Sequence, residues 1–162
     1  QAAWHYALTS QNTPTALVLT RQNLDVEAGS SFTSVAKGAY VTYETDSDFN
    51  TILLASGSEV NLAVKAAKEL EAQGEKVRVV SVPSTELFDE QSAAYKEAIL
   101  PNSVRRRVAI EMAASQPWYK YVGLDGAVIG IDKFGASAPA AQVIENYGFT
   151  VDNVVKVVKG LK

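Results

Sequence analysis

Cysteine is missing from all 162 residues. Disulfides, thiolate nucleophiles and cysteine-bound metals are therefore excluded. Histidine is almost missing: His5 is the single example, so multi-histidine metal sites are ruled out. Because His5 lies near the amino terminus, a serine–histidine–acid triad cannot be built within residues 38–162. No apolar run approaches the ~20 residues of a membrane span. No basic start leads into an apolar block, so no signal peptide is visible. An excess of positive charge is also lacking. Fifteen basic residues face 18 acidic ones, a net charge of −3, which argues against a general nucleic-acid binder. No phosphate-cradling glycine loop with lysine occurs, and Gly57-Ser58-Glu59-Val60 does not complete a GxGxxG pattern. Internal repeats and low-complexity tracts are absent. The chain does not begin with methionine; the expectation is a piece of something longer, located in the cytoplasm.

What is present is the composition of a globular α/β protein, 47% hydrophobic and 20% charged. The length suits one domain plus an appendage. Residues 51–70 organise the rest. Thr51-Ile52-Leu53-Leu54-Ala55 is too short for an ordinary helix and apolar enough for a buried strand. After Ser56-Gly57-Ser58-Glu59, the residues Val60, Ala63, Val64, Ala67 and Leu70 recur at helical spacing. A period change across a glycine-serine turn marks a strand feeding a helix. Ser56 and Glu59 have capping-box spacing. The alternative for this turn is a phosphate held on exposed N–H groups, and Glu59 stands where that anion would sit.

Residues 2–8 read as the last turns of a helix. Residues 15–20 (TALVLT) read as a buried strand. It ends in Arg21-Gln22-Asn23, at the end of a strand where ligands of open α/β sheets gather. Spacing alone makes Arg21 a candidate anion contact or a surface arginine paired with a carboxylate. Residues 24–37 read as a linker. Residues 38–43 form a strand, and the short polar connection to residue 51 predicts one antiparallel edge strand. Further strands are expected at residues 76–82, 108–111 and 127–131. Helices are expected at 89–100 and 118–122, at 140–147 with Ser137 as its cap, and after Thr150. Residues 84–88 read as a loop. Arg105-Arg106-Arg107 reads as a solvated approach to a strand, and Asp46 with Asp48 as a solvated turn. The aromatics at 118–121 are expected to pack against the sheet. The sum is a three-layer α/β/α sandwich with a five-stranded, mostly parallel sheet and one antiparallel edge strand. It carries no self-contained active site.

Nine stretches, in order, resemble the carboxyl-terminal portion of transketolases of the bacterial type. They are TALVLTRQNL (15–24), KGAYV (37–41), ASGSEV (55–60), VVSVPST (79–85), FDEQ (88–91), LP (100–101), WYKYVG (118–123), FGASAP (134–139) and YGFTVDNV (147–154). The resemblance implies residues 1–25 as the tail of a pyrimidine-binding domain, 26–37 as a linker and 38–162 as a complete carboxyl-terminal domain. It implies a parent enzyme of the pentose phosphate pathway that moves a two-carbon ketol unit between sugar phosphates. That parent would be a homodimer using thiamine diphosphate and a divalent cation, Mg or Ca. The residues that handle cofactor and cation would lie upstream of Gln1, so no catalytic, cofactor-binding or metal-binding residue is assigned here, and the chain alone is expected to be inactive. Arg21 alone carries over, matching the arginine of the family's Ser-Arg-Gln-Asn motif that binds a sugar's phosphate. Its planar, permanently charged fork suits that task. Thr20 stands where the family has serine, and Met112 where it has a small residue. The competing readings are a non-catalytic assembly module and an independent α/β module binding a phosphorylated metabolite or a protein partner.

Overall fold

The computed structural model describes residues 1–161. Its elements are α1 (Ala2–Thr9), α2 (Phe32–Val35), β1 (Tyr40–Glu44), β2 (Thr51–Ala55), α3 (Glu59–Ala72), β3 (Val77–Ser81), α4 (Thr85–Asp89), α5 (Ala93–Ile99), β4 (Arg106–Ile110), α6 (Tyr119–Val122), β5 (Ala127–Ile129), α7 (Ala140–Asn146) and α8 (Val151–Gly160). The sheet order is β1-β3-β2-β4-β5. β2 pairs in parallel with both β3 and β4, and β4 with β5. The expected antiparallel edge strand is β1, but its neighbour is β3 rather than β2. The short turn sets β1 and β2 running in opposite directions, and β3 then inserts between them.

β2 is apolar on both faces because both are covered; all five of its residues are buried. On one face Leu53, Val79, Val108 and Ile110 meet Ala63, Ala67 and Leu70 of α3 and Val154 and Val158 of α8. On the other, Ile52, Leu54, Val80 and Ala109 meet Phe88, Ile99, Trp118 and Tyr121. These are the three expected layers. The fully buried apolar side chains stabilise the fold by about 1.5–3 kcal/mol each, before the entropy cost of ordering the chain.

Several local expectations are corrected. Residues 15–20 form no strand among the described residues. The segment is irregular and largely open, with Val18 93% and Leu19 76% exposed, because no strand among the described residues runs alongside to pair with it. Residues 84–88 are not a loop: Ser84 caps α4 by accepting from the Leu87 N–H. The helix expected over 89–100 is shorter, running Ala93–Ile99, and Ser92 caps it by accepting from the Tyr95 N–H at 3.2 Å. Ser137 caps nothing; α7 starts at Ala140, directly after Pro139, without a side-chain cap. On α7, Val143, Ile144 and Tyr147 are half-buried but Ala140 is exposed. Thr150 does cap α8, accepting from the Asn153 N–H at 3.2 Å.

Residues 24–37 are docked rather than loose. Asn61 on α3 donates to the Glu27 carboxylate, and the Thr42 hydroxyl donates to the Ala28 carbonyl at 2.6 Å. Ser31 and Ser34 form a capping box around α2. Gly38 closes the segment at φ +80°, where a Cβ would lie 2.3 Å from the Phe88 nitrogen and 2.4 Å from the Ser84 oxygen. Only glycine fits there.

Candidate functional site

From β2 the chain crosses to β3 on one side, and β4 then takes its place on the other. The order therefore reverses between β2 and β4. Ligand crevices of open α/β sheets lie beyond the carboxyl ends of strands at such a point. Here those ends are Ala55 and Ile110, followed by Ser56 and Glu111. A cavity of about 620 Å3 opens over them, walled on the far side by Tyr6 of α1 and by residues 15–20.

The expected capping box at Ser56 is not formed. Ser58 precedes α3, with no side-chain cap bond. The Ser56 hydroxyl instead donates to Glu111 Oε2 at 2.5 Å. Glu59, only 4% exposed, accepts from the Ser58 hydroxyl at 2.5 Å and from the Met112 N–H at 3.3 Å. Each carboxylate thus has hydrogen-bond donors, as burial of a charge demands. Burial pushes the Glu111 carboxyl above its ordinary value; the Ser56 hydrogen bond pulls it back, and the charge of Glu59 adds to the rise. Gly57 turns the chain between them at φ +51°.

The donor set of this cavity does not fit thiamine diphosphate with its cation. Glu59, Glu86 and Glu111 line it, and no basic side chain does, so a diphosphate would meet repulsion. No cluster of three or more potential metal ligands occurs among the described residues.

Arg21 is exposed just past the open segment. Among the described residues it makes no ion pair or side-chain hydrogen bond, and its neighbour Thr20 reaches the cavity wall and donates to the Gln22 carbonyl at 3.2 Å. His5 packs edge-on against Phe32, ring centroids 4.7 Å apart, and joins α1 to α2. Asp46 and Asp48 both pair with Lys76 at the surface. Trp118 and Tyr121 pack beneath the sheet as expected, while Tyr119 stays exposed.

Two of the three basic residues at 105–107 are not solvated. Arg106 lies in β4, pairs with Glu75 at 2.9 Å and donates to the Val158 carbonyl of α8. Arg107 donates to the carbonyls of Val104, Tyr121, Leu100 and Pro101. The sequence did hold one signal for Glu111, since a single acid ends an apolar strand at its carboxyl end. It held none for Arg107, whose partners are residues 100–104 of the connection before β4 and Tyr121 of α6.

Against known families, residues 38–150 match the transketolase-like TK C-terminal domain. The chain belongs to the transketolase family. Over its full length it is 74% identical to a probable transketolase of Streptococcus pneumoniae, covering 25% of that protein. It is 56% identical to a transketolase of Staphylococcus epidermidis, over 99% of this chain and 25% of the relative. A solved transketolase from Leishmania mexicana superposes with a TM-score of 0.91 at 44% identity, covering 99% of this chain and 23% of the other. The chain thus spans about a quarter of the length of the curated relatives it matches. Among the described residues no helix is long and apolar enough to cross a membrane.

Proposed function

We propose that these residues serve as the carboxyl-terminal part of a cytoplasmic, homodimeric transketolase of the pentose phosphate pathway. That enzyme moves a two-carbon ketol unit between sugar phosphates with thiamine diphosphate and a divalent cation. Residues 1–25 belong to a pyrimidine-binding domain, 26–37 to a linker and 38–162 to the carboxyl-terminal domain. The cofactor supplies the carbanion chemistry and is held by parts of the enzyme outside this chain. The observation that carries the reading is the 74% identity over every residue to a probable transketolase four times as long. Residues 15–20 support it from the fold: an apolar segment with no partner strand among the described residues suits one that pairs with a strand elsewhere in a longer enzyme.

Arg21 is the one substrate contact in this reading. It sits at the carboxyl end of that segment, with no carboxylate among the described residues to neutralise it. There it reads the phosphate of the sugar through paired N–H···O bonds.

The test is a chimera in which these 162 residues replace the matching quarter of the Streptococcus pneumoniae relative. The chimera is expected to turn over xylulose 5-phosphate and ribose 5-phosphate, and the isolated chain to show no turnover above background. In the chimera, Arg21→Ala is expected to raise KM for ribose 5-phosphate about tenfold to a hundredfold, the worth of a charged hydrogen-bond pair. The rate with hydroxypyruvate and glycolaldehyde, which carry no phosphate, is expected to change little. Equal losses on both substrate sets would remove Arg21 from phosphate recognition.

A further inference from the structure

A second cavity, about 370 Å3, lies at the opposite edge of the sheet, where β4 and β5 begin. Its wall includes Asn102, Arg105, Arg107, Lys120, Gly123 and Asp125. Three cations face one carboxylate. This inverts the balance of the crevice above Ser56, which has three acids and no base.

Arg107 is the floor of the argument for a ligand here. Its guanidinium is half-buried, and four of its donors end on main-chain carbonyls at 2.8–3.1 Å. A guanidinium carries five N–H donors, so one is left over. No carboxylate pairs with this charge among the described residues. The acid whose charge acts on it is Glu97, whose own oxygens accept from the backbone and side-chain nitrogens of Asn102 at 2.9 and 2.6 Å. Burial accordingly pulls the guanidinium below its ordinary value. A half-buried cation satisfied by dipoles but not by counter-charge still attracts an anion.

The other two cations are held lightly. Arg105 pairs with Asp125 at 2.5 Å and Lys120 with Asp89 at 2.5 Å, and both cations are largely exposed. Exposed pairs of this kind are worth about 0–1 kcal/mol, so either cation can exchange its partner for a doubly charged anion at small cost. Gly123, at φ +71°, turns the chain at the rim.

We propose that this cavity binds the phosphate group of a small phosphorylated metabolite, with Arg107 as the fixed charge and Arg105 and Lys120 as closing arms. The site stands on different residues from Arg21 and at the other end of the sheet. It therefore does not depend on the reading of the parent enzyme.

The test uses the 162-residue chain and inorganic phosphate as probe, followed by amide NMR at constant ionic strength set with chloride. Saturating shifts are expected at Asn102, Gly123 and Asp125. The double variant Arg105→Ser with Lys120→Gln is expected to weaken that binding about tenfold or more. The remote control Lys65→Gln with Lys156→Gln, which removes the same net charge from exposed faces of α3 and α8, is expected to leave it unchanged. Arg21→Ala is likewise expected to leave it unchanged, so failure here is distinguishable from failure at Arg21. Shifts that rise linearly without saturating, or that saturate only around Arg21, overturn the proposal. Saturation at the cavity that the double variant does not weaken, or that the remote control weakens equally, overturns it too.

Discussion

Arg107 and Glu111 lie four residues apart on one strand and its exit, and they illustrate two ways to bury a charge. Arg107 uses a planar fork to gather carbonyls from residues 100–104 and from Tyr121 of α6. A lysine has the charge but not the fork. Arg107→Lys is therefore expected to lower stability by about 2–3 kcal/mol, a share of the several charged hydrogen bonds lost, measured by urea unfolding with an unchanged m-value. Glu111 is half-buried with a hydroxyl donor but no cation. Its folded pKa lies above the ordinary value of 4.5, so the folded chain holds that proton more tightly than the unfolded one. Its stabilising contribution is full below the ordinary value and is lost as pH rises through the raised one. Glu111→Gln, which keeps an acceptor for Ser56, is expected to flatten that decline in urea midpoints measured upward from pH 4.5. A decline of unchanged slope would place the titration elsewhere.

The elements differ in what ends them. α8 begins at a hydroxyl cap, and Thr150→Ala is expected to cost about 1 kcal/mol. Two glycines with positive φ give a sharper contrast. Gly57→Ala meets no atom within 4 Å, whereas Gly38→Ala drives a Cβ into the backbone of residues 84–88. The first variant is expected to fold with a lowered midpoint, and the second to lose the docking of the 26–37 segment as well. Protease nicking near Gly29 and Ser30 distinguishes them. At this scale the apolar runs of β2, β3 and β4 and the valine stripe of α8 were plain in the sequence, because burial on a sheet leaves a local pattern. The starts of α4 and α5 were not. The loop reading of residues 84–88 missed the cap at Ser84, and the helix expected from residue 89 starts later because Ser92 caps it. Ser56 was misread because its spacing to Glu59 is local, while its partner Glu111 is 55 residues away.

For the molecule as a whole, the sequence was legible where neighbours are supplied by this chain and illegible where they are not. Residues 15–20 have strand composition and no strand beside them, so composition alone could not predict their open state. Removing residues 1–25 is expected to leave a cooperative unfolding transition with a midpoint close to that of the full chain, and to reduce self-association by deleting Val18 and Leu19. A broad, non-cooperative transition on calorimetry would show that the stub is part of the folding unit. Arg21 was recognisable only through resemblance, since nothing within reach of it here marks its task.

The sheet order also governs when the domain can be completed. β1 is made first yet rests on β3, which leaves the ribosome some 35 residues later, while β2 waits at the centre for both flanks. The first of the five strands therefore lacks a sheet neighbour until a later one arrives. The edge strand that emerges ahead of the others gains its one sheet neighbour only when β3 follows it.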